Sequence, residues 1–201
     1  ILNKLCINTK NMLDKEVIDY LQTVFEDLKS HYVFDVTMAS EHPHREELLD
    51  ILEDLVKCSS HLSYRVKEGT GLEFSLLKDG VDTRIKFRSA PNGHEFKTLV
   101  LAIVNSEGIG QNLPEERIIQ EMMKITRPTH IVTYISLNCT ICAELTQMIN
   151  VMVLVNENLS HEIVDGSINK LEIIDNNIRV LPSVFVNGGL VHVGKGSYEE
   201  L

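Results

Sequence analysis

The strongest constraint on the fold is that the chain repeats itself. Val36-Thr37-Met38-Ala39-Ser40 matches Val132-Thr133-Tyr134-Ile135-Ser136 at an offset of 96, and residues 62–69 match residues 159–166 at an offset of 97. Residues 72–80 match residues 181–189 at an offset of 109. The matches keep their order, and the jump from 97 to 109 means that the first copy lacks about a dozen residues, near the place of residues 169–175 in the second. Ordered self-similarity of this kind means one supersecondary plan used twice, and 201 residues suffice for two small domains of ~100 residues each.

Each copy reads as helix, strand, helix, strand, then hairpin. In the first, apolar residues recur at helical spacing over 14–28 behind Asp14 and over 45–56, with strands at 33–38, 62–66, 72–77 and 84–87. Asp79-Gly80 marks the hairpin turn, and a helix over 95–105 closes the copy before Gly108 and Gly110. In the second, the spacing predicts helices over 115–125, 139–155 and 169–175, strands at 131–135 and 162–164, and a hairpin of 184–186 with 191–193 around Asn187-Gly188-Gly189. A strand–helix–strand unit followed by a hairpin makes a mixed sheet, and the Val/Ile/Leu-rich strands fit helices on both of its faces. The expected division is 1–112 and 113–201. The second copy has no counterpart of the helix at 95–105, the chain opens without Met and it stops at Leu201, so the expectation is a piece of a longer protein.

Charge and composition narrow the function. Nineteen Lys and Arg against 29 Asp and Glu give a net charge of −10, which makes nucleic acid and anionic membranes poor partners. The longest apolar run, 99–104, is far short of the ~20 residues of a membrane span. Four cysteines in a chain of this size are too few for a secreted disulfide scaffold and point to the cytoplasm. Cys6 and Cys58 are isolated and read as small hydrophobes.

Cys139-Thr140-Ile141-Cys142 stands between a strand and a helix. Spacing of three puts both sulfurs on one helix face, within disulfide reach. Free N–H groups at the helix start stabilise a thiolate on Cys139, the candidate nucleophile, and Cys142, one turn further in, is the candidate resolving thiol. A zinc half-site would need a second Cys/His pair; there is no other CxxC, and His130, His161 and His192 are scattered without ligand spacing, so no metal site is expected. An incidental CxxC is the other alternative. Pro182 opens an apolar strand 43 positions after Cys139, where thioredoxin-like folds carry a cis-proline beside the CxxC that leaves main-chain groups free to dock a substrate strand; Leu181–Pro182 is therefore expected to be cis. Aligning the copies puts Pro43 at the place of Cys139, Glu46 at that of Cys142 and Glu73 at that of Pro182, so the first copy has the plan without the chemistry. The fold class is α/β, two contiguous thioredoxin-like folds with mixed sheets flanked by helices, the second carrying the CxxC.

Gly93-His94-Glu95-Phe96, Leu99-Val100-Leu101-Ala102, Thr133-Tyr134-Ile135-Ser136-Leu137 before the CxxC, Ile163-Val164-Asp165-Gly166, residues 180–188 and Gly194-Lys195-Gly196 together resemble the N-terminal domain of the alkyl hydroperoxide reductase flavoprotein. The resemblance implies a module that passes electrons from an FAD- and NADH-binding half, absent from this chain, through Cys139 and Cys142 to the disulfide of the peroxidase component of the same system. It also implies that Glu95 lies near the dithiol, as a proton acceptor or tuner of thiol pKa. No GxGxxG occurs, so neither cofactor is expected in this chain. Ala143 stands where the family often has Pro, and Thr140-Ile141 replaces a more polar pair. The alternatives are a free-standing glutaredoxin-like protein-disulfide oxidoreductase and a non-catalytic docking module.

Overall fold

A side-chain cap and two tight turns set several element boundaries in the computed structural model, which describes residues 13–110 and 113–201. The first half runs α1 (Lys15–Val24), β1 (Tyr32–Met38), α2 (Arg45–Cys58), β2 (Leu62–Glu68), β3 (Leu72–Lys78), β4 (Val81–Arg88) and α3 (Glu95–Ser106). The second runs α4 (Glu116–Met122), β5 (Thr129–Ile135), α5 (Thr140–Val155), β6 (Leu159–Asp165), α6 (Lys170–Asp175), β7 (Ser183–Val186) and β8 (Gly189–Val193). The Asp14 side chain accepts from the Val17 N–H and starts α1. Both hairpins turn on two successive left-handed residues, Asp79 and Gly80 (φ 50° and 81°) and Asn187 and Gly188 (φ 48° and 85°), the geometry that matches strand twist.

Two helices are shorter than the spacing predicts. α1 ends at Val24, and Phe25 and Leu28 reach the core through i→i+3 turns, Glu26 N–H to Thr23 O and Leu28 N–H to Phe25 O. Apolar spacing does not distinguish a helix from such a tightened turn. α4 stops at Met122 because the Asn156 side chain donates to the carbonyls of Met122 (2.7 Å) and Ile125 (2.8 Å), a distant group that supplies the partners a further turn would have given.

The strands form one mixed sheet in the order β2-β1-β3-β4-β6-β5-β7-β8. Each half has the same internal order, with a parallel pair (β1–β2, β5–β6) joined to two antiparallel pairs (β1–β3 and β3–β4, β5–β7 and β7–β8). β4 then pairs parallel with β6, Ile85 opposite His161 through Arg88 opposite Val164, so the two sheets merge. Arg84 secures this seam. It sits at φ 67°, in left-handed backbone, and its guanidinium donates to Leu159 O (3.0 Å) and Val153 O (2.7 Å).

One face of the sheet holds the main core. Tyr32, Phe34, Val36 and Met38 of β1 share it with Leu48, Leu52 and Leu55 of α2 and with α3, in which every residue from Glu95 to Asn105 except Lys97 is buried. A helix apolar all round is an interior helix. On the other face a second buried apolar cluster lies under α6, where Tyr134, Val164 and Phe185 pack with Ile173 and Leu181. Across β1 to β4 that face is ionic: Arg65 and Lys67 on Asp35, Lys86 on Glu73 and Glu162, Arg88 on Glu162 and Glu172. Helices therefore cover both faces only in the second half. The first half lacks the segment that forms α6, and charged pairs in the β1–β4 strands occupy the surface that a helix would have dried.

Candidate functional site

Ile135, Ser136, Leu137 and Asn138 carry the chain from β5 to Cys139, which is the N-cap of α5. The Cys142 N–H donates to Cys139 Sγ at 3.2 Å, so the sulfur takes one of the helix's free donors. Cys139 is half-buried and Cys142 is fully buried; the two are joined in a disulfide with Cα atoms 5.2 Å apart. In the reduced state the same N–H and the helix dipole favour charge on Cys139. The intervening side chains face solvent, with Ile141 38% exposed.

The Leu181–Pro182 peptide bond is cis. Ser183 pairs with Tyr134, so Pro182 lies beside the C-terminal end of β5, from which the chain leads to the dithiol. Pro182 is buried and its carbonyl accepts from Gly194 N–H at 2.9 Å.

Glu95 begins α3 and is completely buried against α5. Thr146, one turn beyond Cys142, lies 3.2 and 3.4 Å from the two Glu95 oxygens, and its hydroxyl is also 3.1 Å from Cys142 O. Burial pushes Glu95 up to about 7; hydrogen bonds from Thr98 and Thr146 oppose this, and the charge of Asp165 adds to it. The Thr146 hydroxyl donates to the Glu95 carboxyl and is also within hydrogen-bond reach of Cys142 O.

The remaining sequence candidates lie elsewhere. His161 is buried between Thr133 (2.8 Å) and Asn150 (2.7 Å), and burial holds it down at about 3, so it is neutral. His130 contacts Ser160, and His192 the Lys195 carbonyl. Cys58 is buried at the end of α2, where burial pushes its thiol up to about 11; Cys6 lies outside the described residues. Among the described residues no three His, Cys, Asp or Glu are grouped to hold a metal ion, and no helix is long and apolar enough to cross a membrane. At the first half's counterpart of the CxxC, His42, Pro43 and His44 line a cavity of about 480 Å³ with the start of α6.

Sequence reasoning assigns no role to His94. Its Nε2 lies 3.2 Å from the Oγ1 of Thr140, a residue between the two cysteines. The only signal for it in the sequence is its place immediately before Glu95.

No family model matches the chain. It is 30% identical over 191 residues to a protein named NADH dehydrogenase from Bacillus subtilis, covering 94% of this chain and 37% of that protein. It is 32% identical over 180 residues to the F subunit of alkyl hydroperoxide reductase from Staphylococcus aureus, covering 88% of this chain and 34% of that protein. The chain thus spans about a third of the length of these curated relatives. Among solved structures, the NTD N/C domain of alkylhydroperoxide reductase AhpF from Enterococcus faecalis superposes with a TM-score of 0.84 at 19% identity, covering 94% of this chain and 97% of that one. A protein disulfide oxidoreductase from Aeropyrum pernix gives a TM-score of 0.79 at 18% identity, over 94% and 90% of the two chains. At these identities the likeness establishes the fold, α/β and thioredoxin-like.

Proposed function

The chain is a homologue of the N-terminal domain of the alkyl hydroperoxide reductase flavoprotein, and on that premise we propose that it is a dithiol–disulfide electron-transfer module. The observation that carries the reading is a half-buried Cys139 at a helix N-cap, paired with a fully buried Cys142. The reduced module starts from a Cys139 thiolate. Cys139 attacks one sulfur of the oxidised peroxidase component; the Cys139–partner bond forms, the partner disulfide breaks, and its second sulfur leaves as thiolate. Cys142, losing its proton, then attacks Cys139. The intramolecular disulfide forms and the first partner sulfur leaves, so two electrons pass to the partner, whose thiolates take up protons. Buried Glu95, which reaches Thr146 one turn beyond Cys142, serves as the proton acceptor, and Pro182 borders the surface where the partner strand docks.

In this reading the chain divides at 112/113 and works in the cytoplasm. The first half serves as a platform without thiol chemistry of its own. FAD and NADH belong to the flavoprotein half, which recharges the Cys139–Cys142 disulfide, and this chain holds neither. The peroxide is reduced on the peroxidase component, making the module part of an oxidoreductase.

The test is thiol exchange with two partners. Reduced protein is mixed with the oxidised peroxidase and, separately, with a small disulfide. Rapid two-electron exchange with the peroxidase supports the module. Exchange with the small disulfide alone would favour a general protein-disulfide oxidoreductase, which the likeness to the Aeropyrum fold makes the second reading. Cys139→Ser should lose at least ~10³-fold in rate, and Cys142→Ser should accumulate the mixed disulfide. Full activity in C139S would sink the mechanism.

A further inference from the structure

His94 belongs to the first half of the chain, yet it touches the segment between the cysteines of the second. Its approach is built into the backbone. The His94 N–H donates to Leu137 O at 3.0 Å, and Gly93, at φ 57°, packs so closely that a β-carbon there would lie 2.7 Å from the same carbonyl. This turn fixes His94 against the loop that leads to Cys139, and its Nε2 meets Thr140 Oγ1 at 3.2 Å. Thr140 and Cys139 are adjacent, and the Cys139 sulfur already accepts a donor from the first turn of α5.

We propose that His94 is a positioning residue for the dithiol: through Thr140 it holds the first turn of α5 and, when protonated, places a positive charge beside Cys139 that favours its thiolate. This rests on the dithiol being redox-active, as proposed above. Histidine is the side chain whose charge ordinarily changes between about pH 5 and 8, and a neighbouring imidazolium lowers a thiol pKa. The first half, which has no thiol pair of its own, would in this way set the reactivity of the pair in the second. Other titratable groups on the surrounding elements are Glu95 and Lys97 on α3, Glu144 on α5, and His44, Glu46 and Glu47 at the start of α2. Glu95 turns to Thr146, and Glu47 is engaged by His44 and Asn92, so neither is hydrogen-bonded to Thr140 in place of His94. No proton or electron passes to His94 in the exchange; it acts on Cys139 alone.

The experiment uses the whole chain, wild type, His94→Gln and Thr140→Val. Each is reduced, and Cys139 is alkylated with iodoacetamide as a function of pH; each is also equilibrated with glutathione. The amide of H94Q can keep the hydrogen bond to Thr140 but carries no charge, so a merely structural role predicts an unchanged profile. The expected result is an alkylation midpoint raised by about half a pH unit in H94Q, about threefold less thiolate at a given pH below the midpoint. The exchange equilibrium should shift about threefold toward the disulfide at pH values where Cys139 is ionised and the imidazole of the wild type is still protonated. T140V should move both in the same direction by releasing the imidazole. Wild-type profiles in H94Q would overturn the inference while leaving the dithiol reading intact. A wild-type dithiol that does not equilibrate with glutathione would overturn both.

Discussion

Glu95 shows what a single residue can do to the whole energy balance. Its carboxyl has no solvent exposure and is held up at about 7 by burial. Between the unfolded value of about 4.5 and the folded value of about 7, the native chain keeps a proton that the unfolded chain has released. Stability therefore falls as pH rises through that window, by about 3 kcal/mol at 1.36 kcal/mol per unit. Below it the carboxyl is protonated in both states and contributes no slope. Urea unfolding at pH 5 and pH 8 checks this: wild type should lose stability at pH 8, and Glu95→Gln should lose much less. Equal losses in both would remove Glu95 as the buried acid. The carboxyl that carries this cost touches Thr146, which stands one turn beyond Cys142.

At the scale of the element, Arg84 and Asn156 decide what local propensity leaves open. Arg84 takes left-handed backbone in β4, where a non-glycine residue is strained, and its two bonds to the carbonyls of α5 and β6 hold it there. Arg84→Ala should cost about 2–3 kcal/mol, because it keeps the backbone strain and leaves two carbonyls without their charged donor. Arg84→Gly should cost less by about 1 kcal/mol, since glycine relieves the strain but not the lost bonds. Denaturant midpoints for the two variants test the ordering; a larger loss in R84G would mean that backbone strain is not what separates them. Asn156 acts similarly at the end of α4. Its amide reaches Met122 and Ile125 from more than thirty positions away, so no local pattern foretells where that helix stops.

The whole molecule is held together by α3 and by the β4–β6 seam. α3 is buried on all sides, packs on α5, and presents Thr98 to Thr146 and Gln147. Neither half keeps this helix dry without the other. The expected behaviour is one cooperative unfolding transition for the chain, with equal calorimetric and van't Hoff enthalpies. Two resolved transitions would mean that the halves are energetically separate. The first half by itself should be aggregation-prone, because β4 would become an open edge and α3 an exposed apolar surface.

By itself, the sequence determined the repeated plan, its α/β order of elements along the chain, the missing segment in the first copy, and a cysteine pair with one accessible and one sheltered sulfur. These are local and periodic properties: helical spacing, hairpin turns such as Asp79-Gly80, and the position of Cys139 at a strand–helix junction. Tertiary structure decided everything that depends on which distant groups meet. It merged two sheets into one, left the far face of β1 to β4 to ion pairs, buried Glu95 beneath α5, and brought His94 to Thr140 across 46 positions. Burial and hydrogen bonding between remote residues have no signature in spacing. The pattern therefore singled out the two cysteines that the fold joins, and the fold supplied the neighbours that would set their chemistry.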